Sequence, residues 1–356
     1  MRACVIGGGL AGSLLAWRLA RNSGWRIDLL LGTDARADAT TASGGAVRAF
    51  EADPAQRRLA VESMVELLAS PTLLEWSAFR RVDTVYVRRH ATELDLTEIE
   101  DALPGSARLA DAGELASMGL FGEQAVVERD AGYTSPARLR DSALADGPVR
   151  DRVSVLAEPA GRIEPAGSGA VRCEVAGRRR EYDAVVVAAG AWSAGLLERS
   201  GLPAGGYRTK SIQYGLYPAG GVVPPTVVDE SSGLYCRPAA GGELLLGLPT
   251  DEWDVEPGRT AVTPALHEAA AEAARERFPA LRLGPARVLV GAVDCYTDPP
   301  ALRLRRVVDS EHQLFTFTGG SGGSVKTALA ASRRAAAELV GSTLAPVGDN
   351  RSLFRA

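Results

Sequence analysis

Two glycine-rich stretches and an unusual choice of cation carry the chemistry legible in this chain. The first stretch, "VIGGGLAGSLLAWRLA", holds Gly7, Gly9 and Gly12 in G-x-G-x-x-G spacing. Gly7 permits a tight turn, Gly9 lets a pyrophosphate approach the backbone, and Gly12 lets a helix pack closely on a strand. The helix opening at Leu10 and Ala11 then turns N–H groups and a positive dipole end toward the anion. The second stretch, "FTFTGGSGGSVKTALAAS" at 315–332, runs through Gly320, Gly322, Gly323, Ser324 and Val325 to Lys326. Forty residues are Lys or Arg, yet only Lys210 and Lys326 are lysine. A lysine beside a glycine loop, in a chain that otherwise uses arginine, marks a place where a compact ammonium is wanted. Lys210 reads equally well as an exposed strand residue. Two small-residue runs could lie against a planar ligand. One is "SGGAVR", with Ser43, Gly44, Gly45, Ala46 and the cation Arg48. The other is "AAGAWS", with Ala189, Gly190 and Trp192, where a bulkier strand end would block the ligand.

These motifs need elements to hold them. Residues 2–7 read as a short buried strand. A turn and a helix follow, with Leu10, Leu14, Leu15 and Leu19 near one face, and "WRIDLLLG" is a second strand. A strand–glycine turn–helix–strand order is the context that the glycine motif requires. Residues 55–69 and 73–80 read as helical, 82–89 as a strand, 94–118 as helical in part, and 137–146 as a helix. The segment 183–202 is strand, turn and helix. Residues 207–217, 233–238 and 242–249 alternate like antiparallel strands. Residues 263–281 form an amphipathic helix, 286–297 and 313–318 strands, and 324–340 a last long helix. A nucleotide-binding layer interrupted by antiparallel sheet fits this order.

The chain has 356 residues, more than one ordinary domain. Apolar content of 46% and charge of 24% are those of a soluble globular protein. A net charge of −4 without a basic run points away from nucleic acid. No apolar run is long enough to span a bilayer. The N-terminal apolar stretch reads as strand, turn and helix rather than as a leader. Cys4, Cys173, Cys236 and Cys295 show no paired spacing, so buried reduced thiols and a cytoplasmic location are expected. His90, His267 and His312 lie far apart, and no metal site is expected.

Three segments together resemble the D-amino-acid oxidase, sarcosine oxidase and glycine oxidase superfamily of FAD-dependent enzymes. They are the N-terminal glycine motif, "YDAVVVAAGAWSAGLLERSGLP" and "LFTFTGGSGGSVKTALAASRRAAAEL". "DAGYTSPARL" and "LYCRPAAGGELLLGLP" are similar to the family's linking segments. The resemblance implies an α/β fold: a Rossmann-like FAD-binding domain of glutathione-reductase type with a discontinuous antiparallel-sheet substrate domain. It assigns 1–80, 131–205 and 292–342 to the FAD domain, 81–130 and 206–291 to the substrate domain, and 343–356 to a tail. It implies hydride transfer from a carbon bearing nitrogen to flavin N5. It places the 43–48 run along the isoalloxazine, the 320–326 loop at the flavin pyrimidine, and Lys326 facing a substrate carboxylate. Thr33 and Ile163 join the expected cofactor contacts. Tyr235, Arg237 and Tyr296 are substrate-side candidates by position.

The chain departs from that pattern at three places. Leu31 stands where the family carries an acidic ribose ligand, and Thr33 or Asp34 is the candidate replacement. Glu51 stands where sarcosine oxidases carry a second arginine for the substrate carboxylate. It would pair with Lys326 or select a cationic group. Asp294 stands where monomeric sarcosine oxidases attach flavin through cysteine, and Cys295 is one residue late, on the other face of a strand. Non-covalent FAD is therefore expected. After "LLLGLP" the oxygen-activating lysine of those oxidases is missing, which keeps a dehydrogenase open beside an oxidase that uses O2. The expected partner is a small-molecule amine or amino-acid-like substrate, free or carrier-tethered. The alternative is a carrier-associated flavoprotein acting on a tethered aminoacyl group. "GGSGG" fits a nucleophile-elbow pattern at Ser321, but no histidine follows it, so a serine hydrolase does not fit. An aromatic hydroxylase does not fit either, because "GGSGGSVK" replaces its late motif.

Overall fold

The computed structural model describes residues 1–32, 38–89, 94–119, 123–259, 261–307 and 312–341. It is an α/β fold with two large mixed sheets. The first has six strands. The opening strand Arg2–Ile6 sits between Arg26–Leu30 and Ala184–Val187, all parallel. Val153–Leu156 extends one edge, and Leu314–Thr318 followed by antiparallel Arg303–Arg306 extends the other. Ala184–Val187 and Leu314–Thr318 are buried along their whole length, which is why they read as continuous apolar runs instead of alternating ones.

Helix Leu10–Ser23 covers one face of this sheet. It is held against Pro54–Leu68 and Ala328–Val340 by the fully buried Arg18–Glu66 ion pair (2.5 Å) and by Arg18 donating to the Leu329 carbonyl (3.2 Å). The opposite face packs Ile163, Val171, Cys173 and Tyr182 of a three-stranded meander onto Cys4, Val185 and Val187.

The second sheet has nine strands and is largely antiparallel. Its spine is the long strand Arg208–Gly221, which pairs with Val288–Tyr296 on one side and Glu243–Gly247 on the other. Tyr235–Ala239, Thr226–Asp229 and Thr84–Arg88 continue the sheet. Helix Pro264–Arg277 covers its outer face through Ala271 and Ala274. No helix among the described residues is long and apolar enough to cross a membrane.

Several expected elements change in detail. The segment 94–118 is two short helices, Thr97–Ala102 and Ala112–Ser117, around the strand Ala107–Leu109. The last helix begins at Ala328, because 324–327 is a tighter 3₁₀ turn that follows a positive φ of 68° at Ser321. The expected boundary between 291 and 292 falls inside Val288–Tyr296, which pairs along its length with Arg208–Leu216. Ladder hydrogen bonds keep that strand in one sheet. The four cysteines are free and buried.

Candidate active site

The two sheets meet over a cleft of about 750 Å³. The first contribution is the turn after the opening strand. Gly7 has φ +122°, and a Cβ there would lie 2.3 Å from the Ala188 carbonyl oxygen, so only glycine fits. Gly8, Gly9, Leu10 and Ala11 line the cleft. Thr40 Oγ1 accepts the Leu10 N–H at 2.9 Å and fixes the helix start. Gly12 lies beneath this lining: its Cβ would meet the Gly7 carbonyl at 2.0 Å, so it serves helix–strand packing and not ligand contact.

The second contribution is the 43–48 run. Gly45 has φ +68° and its carbonyl accepts the Thr134 N–H (2.8 Å). Ser43, Gly44, Gly45, Ala46 and Arg48 all line the cleft. The third is Ala189–Trp192, at the end of the parallel strand Ala184–Val187. The fourth is the late glycine loop, which bridges the two sheets. The Ser321 amide donates to the Cys295 carbonyl (3.0 Å) and Gly320 pairs with Tyr296. Gly320, Gly322, Gly323, Ser324, Val325 and Lys326 all line the cleft.

Both lysines of the chain border this cleft. Lys326 Nζ pairs with Glu51 Oε1 at 2.8 Å, and the same oxygen meets Arg48 Nη2 at 2.7 Å. Burial alone would raise the Glu51 carboxyl, but the flanking Arg48 and Lys326 bring it below its usual range. Burial draws the Lys326 ammonium down against the pull of Glu51. Arg48 also donates to the Phe50 carbonyl (3.0 Å) and lies over the Tyr86 ring (4.8 Å). Behind them, Glu128 accepts the Ala49 and Phe50 amides at 2.7 and 3.0 Å and locks the turn that carries Arg48 and Glu51. Lys210 Nζ lies 4.6 Å from the Trp253 ring centre.

The floor of the second sheet adds Tyr235, Arg237, Leu245, Asp294 and Tyr296. The Tyr235 hydroxyl is already engaged, donating to the Gln213 carbonyl at 2.5 Å, and burial raises its pKa. Arg237 donates to the Gly44 carbonyl (2.5 Å) and stacks on Tyr133 (4.2 Å), tying floor to rim.

Among the sequence candidates, Glu51 stands behind the lining and acts on it through Lys326. Ile163 is not brought to the cleft. It is buried in the core under the first sheet, its amide donates to Ser200 (3.0 Å), and Pro159 and Ala160 line the cleft in its place. Thr33 lies outside the described residues. Leu31 does border the cleft, packed where a Gly8 Cβ would lie. Sequence reasoning gave no role to Thr40, and a threonine thirty residues from a helix start carries no local signal.

The glycine cradle, the helix N-terminus and the cleft size fit a dinucleotide cofactor. The family model described as FAD dependent oxidoreductase matches residues 2–338, nearly the whole described chain. The chain belongs to that family. This oxidoreductase shares its fold with glycine oxidase from Geobacillus kaustophilus (19% identity, TM-score 0.75, covering 100% of this chain and 99% of that one). L-proline dehydrogenase from P. horikoshii is similar at 16% identity and TM-score 0.76, covering 97% and 95%. Iminodiacetate oxidase from Chelativorans sp. BNC1 is similar at 19% and 0.72, covering 98% of each chain. No curated protein matches the chain. The oxidoreductase would hold FAD with the 7–11 turn at the pyrophosphate, and with the 43–48 run and the 320–326 loop along the ring system.

Proposed function

We propose that this FAD-dependent oxidoreductase oxidises the C–N bond of an amine or amino-acid-like substrate to an imine. Non-covalent FAD supplies the redox chemistry, taking a hydride at N5 and passing the electrons to O2 or another acceptor. The carrying observation is the Arg48–Glu51–Lys326 cluster at the cleft. It keeps Lys326 beside the cleft, paired with a carboxylate that it shares with Arg48.

The protein's part is orientation and exclusion of water. Leu245 and Tyr235 of the sheet floor line the cleft and would shield the reacting atoms, and the glycine loop would let substrate lie close to the backbone. Lys326 can receive a substrate carboxylate only by sharing or leaving Glu51. That favours substrates whose acid group is masked as an ester, thioester or amide, in line with a tethered aminoacyl group. The names of the fold relatives, a glycine oxidase, a proline dehydrogenase and an iminodiacetate oxidase, support nitrogen-bearing substrates. The discontinuous division into FAD and substrate domains, with the Rossmann-like sheet as the FAD part, belongs to the same reading.

The test is anaerobic mixing of the yellow holoenzyme with a panel of amines, free amino acids and their esters and amides. Bleaching by an amine, faster with masked than with free acids, is expected. An unbleached flavin across the panel would overturn the reading. Admitting air then separates oxidase from dehydrogenase by the rate at which colour returns. Acid precipitation should leave the flavin in the supernatant.

A further inference from the structure

Asp294 is a carboxylate on the floor of the cleft. It is 5% exposed, lines the cleft, and its Oδ2 has no hydrogen-bond partner. A Cβ on Gly322 would lie 2.6 Å from that oxygen, so the carboxyl is turned toward the glycine loop. On the next residue, a Cβ on Gly323 would lie 2.5 Å from Lys326 Nζ. Successive glycines of one loop are thus flanked by a carboxyl and an ammonium. Lys210, the cross-strand neighbour of Asp294, does not neutralise it, because its ammonium lies over Trp253. The other titratable groups facing Asp294 are Tyr235 from the strand Tyr235–Ala239 and Tyr296 two residues along its own strand. Adjacent Cys295 is bonded to Thr318, and the Gly319–Gly323 loop brings no charge.

A buried carboxyl without a partner costs stability and is retained where it does something else. We propose that Asp294 receives the substrate's amine nitrogen, taking an N–H of the incoming ammonium and accepting its proton. The inference rests on the amine-oxidising reading above. The step is a proton transfer alone: R–NH3⁺ and the carboxylate become R–NH2 and the carboxylic acid, and no bond to carbon changes. The oxidation that follows needs the neutral amine, whose nitrogen lone pair assists departure of the hydride. Burial pushes Asp294 up to about 7, so its basic form is present at and above neutrality. Glycine at 322 makes room for Oδ2 beside the loop, while the residue itself stays on the cleft lining.

The experiment compares wild-type holoenzyme with Asp294→Asn and Asp294→Ser, using whichever amine of the panel bleaches the wild type. Anaerobic stopped-flow separates the apparent Kd from the reduction rate across pH 6–9. A parallel melt records Tm. In D294N the Kd should rise by about tenfold or more. The inflection near pH 7 should vanish, leaving only the amine's own titration. Tm should not fall, since no structural bond is lost. An unchanged Kd and pH profile would overturn the proposal while leaving amine oxidation intact. A Tm loss of several degrees in both variants would assign the carboxyl to the fold and overturn it too. If no amine bleaches the wild type, the functional reading fails first and Asp294 loses this role with it.

Discussion

Glu51 decides what the Lys326 ammonium is free to do. Its Oε1 is shared by Arg48 and Lys326, so two cations compete for one carboxylate, and Glu128 lies directly behind. Glu51→Gln should release Lys326 for a ligand acid. A simple carboxylate such as benzoate, titrated against the flavin absorbance, should then bind about tenfold tighter. Lys326→Ala should weaken that ligand strongly and leave FAD bound. An unchanged affinity in both variants would show that Lys326 is not turned to the ligand. Asp294 gives a second residue-scale effect, on stability. Its folded-state pKa is raised above its ordinary value to about 7 by burial. Between the two values the folded state holds a proton that the unfolded chain has lost, so stability falls as pH rises. The slope is about 1.4 kcal/mol per pH unit over roughly pH 4–7, and it flattens above that. The Tm of Asp294→Asn should therefore gain on wild type from pH 5 to 7 and hold level above it.

At the scale of elements, the site depends on how strands and turns are brought into contact. Gly7 is where two parallel strands and the first helix converge. An alanine there would face the Ala188 carbonyl at 2.3 Å, in a backbone region that L-residues rarely adopt. Gly7→Ala should lose most bound flavin and cost a few kcal/mol, read by the flavin-to-protein absorbance ratio and by denaturant midpoint. The element map was legible where burial is one-sided or complete. The parallel strands read as short continuous apolar runs and the helix 264–277 has clear periodicity, so their existence could be read. The short strand Thr226–Asp229 is held by ladder bonds to the distant strand Thr84–Arg88, and nothing local signals it. The 3₁₀ turn carrying Lys326 is set by Ser324, whose amide and hydroxyl both donate to the Ser321 carbonyl.

For the whole molecule, the late glycine loop helps staple together the two sheets that enclose the cleft. Gly319–Gly323 is covalently continuous with the first sheet and hydrogen-bonded to Val288–Tyr296 of the second. A ligand spanning that junction holds both sheets at once. Removing FAD should therefore lower stability by RT ln(1 + [FAD]/Kd), about 4 kcal/mol at a thousandfold excess over Kd. The Tm of the apoprotein should rise with added FAD, and a Tm insensitive to FAD would place the cofactor outside the stability of the cleft.

The sequence by itself determined the nucleotide-binding start, the small-residue runs, the late glycine loop and the singular lysine beside it. These follow from local requirements: a positive φ, a close backbone approach, a helix N-terminus. The family resemblance marked Glu51, Leu31 and Asp294 as departures from the expected pattern. Only the tertiary structure decided what those three do. Glu51 reaches Lys326 across 275 positions of chain, Leu31 packs against Gly8 at the edge of the cleft, and Asp294 is left buried with one carboxyl oxygen unpartnered. Pairing and burial depend on which elements meet, and a carboxyl's charge depends on the water and the cations that the fold leaves beside it.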